Sequence, residues 1–134
     1  MNILSETRDA AITHLIAGVP VSDLEAATDW YTRFFGREPD MKAGKEILWD
    51  VDEHATLFIE PKPERAGSGR ITLVAAGLDA LLERLAEVGI GYGSIETYDN
   101  GVRHVDVPDP DGNALAFAEL PNANRMDQAK KGKR

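Results

Sequence analysis

Residues Asp50–Glu60 read DVDEHATLFIE and residues Asp109–Glu119 read DPDGNALAFAE. Laid over each other without a gap, at a spacing of 59 residues, five of the eleven positions are identical: Asp50/Asp109, Asp52/Asp111, Ala55/Ala114, Phe58/Phe117 and Glu60/Glu119. Each copy is an Asp-rich turn followed by a strand that ends on Glu. A repeat at so long a period marks a duplicated supersecondary unit. In the second copy Ala114, Ala116 and Ala118 alternate with Leu115 and Phe117, so one face of that strand is small and the other bulky. The small face leaves room for a cavity.

The rest of the chain falls into two matching series around these copies. Ile12–Val21 reads as a strand with Leu15, Ala17 and Val19 on one face and His14, Ile16 and Gly18 on the other. Ser22 and Glu25 are spaced as a capping box opening a helix. That helix carries Leu24, Ala27, Tyr31 and Phe34 on one stripe, flanked by Trp30 and Phe35, and ends at Gly36. Strands are expected at residues 38–42, 46–51 and 55–60. The turn-rich PKPERAGSG (Pro61–Gly69) joins the two series. Then Arg70–Ala75 reads as a strand with Ile71 and Leu73 opposite Arg70 and Thr72. Leu78, Leu81, Leu82, Leu85 and Val88 form the stripe of a second helix, stopped by Gly89. Ser94–Tyr98 and Val102–Val107 read as a hairpin around Asn100-Gly101. The expected fold is α+β: two βαβββ repeats (residues 12–60 and 70–120, joined by 61–69) forming a curved, cupped mixed sheet with the helices outside. A polar leader (1–11) and a basic flexible tail (121–134) flank this domain.

Composition narrows the chemistry. The chain has no cysteine, which excludes disulfides, thiolate nucleophiles and Cys-based zinc sites. No apolar run reaches the length of a membrane span and no signal-peptide pattern opens the chain, so a cytoplasmic protein without membrane partners is expected. The formal charge is −8. Residues 122–134 hold five basic side chains and one acidic, leaving ten basic and 22 acidic on residues 1–121, a net of −12. An acidic body repels phosphate backbones, so no nucleic-acid partner is expected, and it favours cationic ligands.

VPVSDLEAATDWYTRFFG (Val19–Gly36) and DVPDPDGNALAF (Asp106–Phe117) resemble the vicinal oxygen chelate superfamily. That superfamily includes glyoxalase I, extradiol dioxygenases and fosfomycin- and bleomycin-resistance proteins. The likeness spans about residues 12–120 and implies a glyoxalase-like fold, with a homodimer as the expected assembly. It also implies where a metal's ligands would stand: seven residues before each helix-opening position (Asp23 and Gly77), and three residues after the turn's Asn. Those positions are Ile16, Arg70 and Ala116, and the repeat maps Ala116 onto Leu57. None of the four suits a divalent cation, which needs imidazole or carboxylate. Glu60 and Glu119 lie an odd number of residues beyond the last-strand positions, hence on the opposite face. No metal and no cofactor is expected.

The expected partner is a small molecule, bound among His14, Ile16, Trp49, Leu57, Arg70, Thr72, His104, Asp106 and Ala116. His14 is either a polar group of that pocket or a strand-end histidine facing water. Arg70, if it points into the concavity, needs an anion there. Asp106 or a ligand carboxylate would serve; otherwise the side chain reaches out to water. Trp49 is either a stacking wall or a packed strand residue, and Trp30 a helix-flank or subunit contact. Tyr92 and Tyr98 are candidates for the rim. Asp109 and Asp111 read as turn formers, like Asp50 and Asp52. The leading expectation is a metal-free binding protein of the glyoxalase/bleomycin-resistance type that sequesters a drug or metabolite. Its rivals are a lyase or dioxygenase-type enzyme with a non-standard or absent metal site, a metal-independent isomerase using His14 or His104 as base, and an interaction module whose cavity is filled by side chains.

Overall fold

The computed structural model describes residues 10–121. The expected leader and basic tail lie, but for their innermost residues, outside the described residues. Each repeat builds a helix on a four-stranded mixed sheet. In the first, β1 (Leu15–Val21), α1 (Leu24–Phe35), β2 (Met41–Ala43), β3 (Glu46–Asp52) and β4 (Ala55–Pro61) give the order β1-β4-β3-β2. In the second, β5 (Arg70–Val74), α2 (Leu78–Glu87), β6 (Glu96–Thr97), β7 (Arg103–Asp106) and β8 (Ala114–Glu119) give β5-β8-β7-β6. Both sheets pair their first and last strands in parallel and the rest antiparallel. The fold class is α+β as expected, and the curved sheet is resolved into two four-stranded sheets that do not close.

One core serves both repeats. Val19, Val21, Leu57 and Ile59 of the first sheet and Val105, Leu115 and Phe117 of the second are buried together with Tyr31 and Phe34 of α1 and Leu78, Leu82 and Leu85 of α2. Phe34 stacks on Phe117 with ring centroids 5.3 Å apart. Each sheet therefore has a helix-side face in the core and an open face. The helices also terminate each other. Arg33, in the last turn of α1, donates to Val88 O at the end of α2 (2.9 Å), and Arg84 of α2 donates to Arg33 O (3.0 Å) and Phe34 O (2.8 Å). The last carbonyls of a helix lack intrahelical partners and carry partial negative charge, so a guanidinium suits them.

The DPDGN turn is more than a turn. Asp109 is buried and accepts four hydrogen bonds. The backbone N–H groups of Asp111 (3.0 Å) and Asn113 (2.8 Å) reach Oδ1, while Asn113 Nδ2 (2.8 Å) and the Tyr31 hydroxyl (2.7 Å) reach Oδ2. Asn113 Nδ2 also donates to Pro20 O, and its Oδ1 accepts from Gly67 and Gly69 N–H. One turn of the second repeat thus ties down the first repeat's helix, its first strand and the connector. Burial, then the charge of Asp109, holds the Tyr31 hydroxyl well above the ordinary tyrosine range.

Several local expectations are corrected. Asp23, not Ser22, caps α1, accepting from Ala26 N–H at 3.0 Å. Ser22 instead gives both its N–H (3.0 Å) and its hydroxyl (2.6 Å) to Asp111, a charged acceptor across the repeat boundary. β1 begins at Leu15 rather than Ile12, and β6 shrinks to two residues. Gly101 (φ 88°) is left-handed while Asn100 is not, so Asn100-Gly101 does not form the two-residue turn that needs both. Tyr98 O accepts from Gly101 N–H and Tyr98 N–H donates to Val102 O, giving a longer, bulged loop. α2 opens on Gly77, which has no side chain to cap it, and Glu119 Oε2 accepts from Leu78 N–H at 2.7 Å instead. Glu119 also pairs with Arg103 at 2.9 Å.

Candidate functional site

On the open face of the second sheet a pocket of about 300 Å³ is lined by Arg70 and Thr72 of β5, His104 and Asp106 of β7 and Ala114 and Ala116 of β8, with Pro108 and Gly112 from the turn between. Register brings these together: Arg70 pairs with Ala114 and Thr72 with Ala116, while Ala116 and Ala118 pair across with Asp106 and His104. The alanines keep the floor low, so the longer side chains on both flanks have space between them.

Among the described residues two polar groups in this pocket lack protein partners, the exposed Arg70 guanidinium and the buried His104 Nδ1. Among the described residues Arg70 has no carboxylate within ion-pair distance, and Asp106, the protein anion open to it by sequence, lies nearer His104. His104 Nδ1 is shut off from solvent without a hydrogen bond; Asp106 Oδ1 is 4.0 Å away, beyond hydrogen-bond reach. Leaving such a nitrogen unsatisfied costs roughly 1–3 kcal/mol. Its ring stacks against Tyr98, with centroids 5.9 Å apart.

The other sequence candidates lie elsewhere. Trp49 is fully buried on the helix-side face, stacked on Phe35 (5.5 Å), with its indole N–H donated to Arg37 O (3.1 Å). Leu57, its register partner, is buried beside it. Neither borders the pocket. Trp30 likewise packs inside, stacked on Phe34 at 5.1 Å, rather than at an exposed flank. His14 and Ile16 belong to the open face of the first sheet, where His14 Nε2 meets Thr56 Oγ1 at 2.9 Å and Thr56 Oγ1 meets Asp50 Oδ1 at 2.9 Å. Gly18 shares this face, and Phe58 lies flat on it: a Cβ at Gly18 would fall 2.4 Å from the ring.

The error at Leu57 is one of parity. The gapless repeat equates Leu57 with Ala116, but Leu57 pairs with Ala17 on the core side, whereas Ala116 pairs with Thr72 on the open side. The first-strand equivalents Ile16 and Arg70 pair with Thr56 and Ala114, one residue out of step with the gapless repeat, so that alignment reads β4 with the wrong face inward. Thr56 and Phe58 are the open-face residues, and Glu60 joins them by alternation, against expectation. A signal was available: in TLFIE the polar Thr56 and Glu60 alternate with Leu57 and Ile59, placing Leu57 in the core.

A metal set of the kind the resemblance implies does not fit these residues. The pocket offers one imidazole and one carboxylate beside a guanidinium, and among the described residues no three His, Asp or Glu side chains converge. No helix among the described residues is long and apolar enough to cross a membrane.

The model of the Glyoxalase/Bleomycin resistance protein/Dioxygenase superfamily matches residues 11–117. Among solved structures, one described as a glyoxalase/bleomycin resistance protein from Catenulispora acidiphila is 42% identical with a TM-score of 0.75, covering 81% of this chain and 98% of its own. Lactoylglutathione lyase from Agrobacterium tumefaciens is 21% identical (TM-score 0.66; 82% and 95% covered) and the oxidase ChaP-H2 is 18% identical (TM-score 0.69; 84% and 96% covered). At those identities the last two share the fold alone. No curated protein matches the chain.

Proposed function

The chain belongs to the glyoxalase/bleomycin resistance protein/dioxygenase superfamily, and from that premise we propose that it binds a small organic anion on the open face of its second sheet, without a metal. The observation that carries this is the Arg70 guanidinium, which among the described residues has no carboxylate within ion-pair distance and lines the pocket on the flank opposite His104. A guanidinium presents a planar fork of donors matched to a carboxylate. The His104 ring lines the opposite flank, Thr72 adds a hydroxyl, and Ala114 and Ala116 an apolar floor. The net charge of the body favours cations at long range, but the local donors favour an anionic group at contact. We read the role as sequestration of a drug or metabolite in the cytoplasm by a homodimer. The exposed Leu15 and Val74 support self-association.

Matched fragments test the site, for instance benzoate against benzamide, followed by NMR shifts of His104. Benzoate is expected to bind more tightly, with the preference lost in Arg70→Gln. Equal binding of the two would remove the anion; absence of any shift at His104 would remove the pocket. A metal-independent enzyme is the second reading, favoured by the place of the His104 imidazole in the pocket lining. It requires turnover that disappears in His104→Ala.

A further inference from the structure

The open face of the first sheet holds a polar cluster distinct from that pocket. In register, Thr56 of β4 lies between Ile16 of β1 and Asp50 of β3. Its hydroxyl is buried between His14 and Asp50, with both contacts at 2.9 Å. Asp50 is itself fixed: its N–H donates to Asp40 Oδ2 at 2.7 Å and its carbonyl accepts from the Arg37 guanidinium. The Leu15 N–H, one residue past His14, is held by His54 O at 2.9 Å.

Proton counting decides the roles. An ionised carboxylate only accepts, so the single hydroxyl proton of Thr56 goes to Asp50. Thr56 Oγ1 is then an acceptor toward His14, and Nε2 must carry the donated proton. In the neutral ring the other nitrogen is bare. We propose that Thr56 and Asp50 hold His14 in the Nε2–H tautomer, so that Nδ1 is a proton acceptor for a hydroxyl-bearing ligand on the first sheet. Thr56 and Asp50 are positioning residues; His14, on the exposed edge of the cluster, is the group that meets the ligand. If the ligand's O–H proton passes to Nδ1, the imidazolium formed is balanced by the Asp50 carboxylate through the Thr56 hydroxyl, and the ligand keeps the electron pair as its oxyanion. Ile16, exposed on the same face, supplies an apolar shelf beside it.

The test is long-range proton–nitrogen NMR on the full chain with labelled histidine, at a pH about two units above the ordinary histidine value of about 6.5. His14 is assigned against His54 and His104 by substitution. In the parent and in Thr56→Ser the ratio of Nε2–H to Nδ1–H is expected to exceed that in Thr56→Val, nearly the same shape, by about fivefold or more, the factor that one hydrogen bond sustains. Asp50→Asn, whose amide can donate to Thr56 and turn the hydroxyl toward His14, is expected to shift the balance to Nδ1–H. An Nδ1–H ring in the parent, or a ratio unmoved by Thr56→Val, overturns the relay. Phenol, with toluene as the control lacking the hydroxyl, probes the ligand class. Phenol alone is expected to shift His14 Nδ1, and equal effects or none would overturn the hydroxyl assignment.

Discussion

Tyr31→Phe isolates the bond that joins the repeats. It removes one oxygen, keeps the ring against Trp30, Phe34 and Trp49, and leaves Asp109 three of its four donors. The lost bond is buried and its acceptor is charged, a class worth roughly 1.5–3 kcal/mol; ~2 kcal/mol is a fair central value. Unfolding entropy of about 2.1 cal/mol/K per residue over 134 residues comes to about 0.28 kcal/mol/K, so the melting temperature should fall by about 7 °C. Urea unfolding, with its slope unchanged, measures the free energy directly. An alkaline arm supplies a second signature. The folded Tyr31 pKa is raised above its ordinary value of 10.0. The stabilisation from its protonated form is therefore whole below about pH 10 and declines above it, as the unfolded chain releases a proton that the folded chain keeps. The gap between parent and Tyr31→Phe should then narrow by roughly 1.4 kcal/mol at one pH unit above 10. A variant within about 0.5 kcal/mol of the parent at neutral pH, or a gap that does not narrow, would refute the reasoning.

Asp109→Ala should be far more damaging, about 3–5 kcal/mol by urea unfolding, because it strands two backbone N–H groups and the Tyr31 hydroxyl and takes one of the two acceptors of the Asn113 amide. Arg84→Ala should cost about 1–2 kcal/mol by opening the end of α1, visible as faster amide exchange there. Gly18→Ala should destabilise by about 1–3 kcal/mol because Phe58 must leave the sheet, and Phe58→Ala in the same chain should recover part of the loss. Ligand binding in the second-sheet pocket should leave tryptophan fluorescence almost unchanged, since Trp30 and Trp49 are both in the core; strong quenching would move the site.

Much of this molecule was legible in the sequence because its periods are simple. Alternation in Ala114–Phe117 separated core from open face, the helical stripes picked out Tyr31, Phe34, Leu78, Leu82 and Leu85, and the repeat predicted two βαβββ units. Alternation put Arg70 with Thr72 and His104 with Asp106 on shared faces, while it was the resemblance that pointed Arg70 and Ala116 into the concavity; the five line one pocket. Identity between repeats misled at Leu57, because the matched residues stand one place out of step with the strand pairing, and one residue of slip turns a strand over. What sequence alone determined was therefore each strand's inward and outward sets, since these follow from local period. What only the tertiary structure decided was which distant groups meet: Asp109 with Tyr31, Asp111 with Ser22, Glu119 with the start of α2, and His14 with Thr56 and Asp50. The two members of each of these contacts stand up to 89 residues apart or on different strands, and no local pattern records a partner supplied by packing.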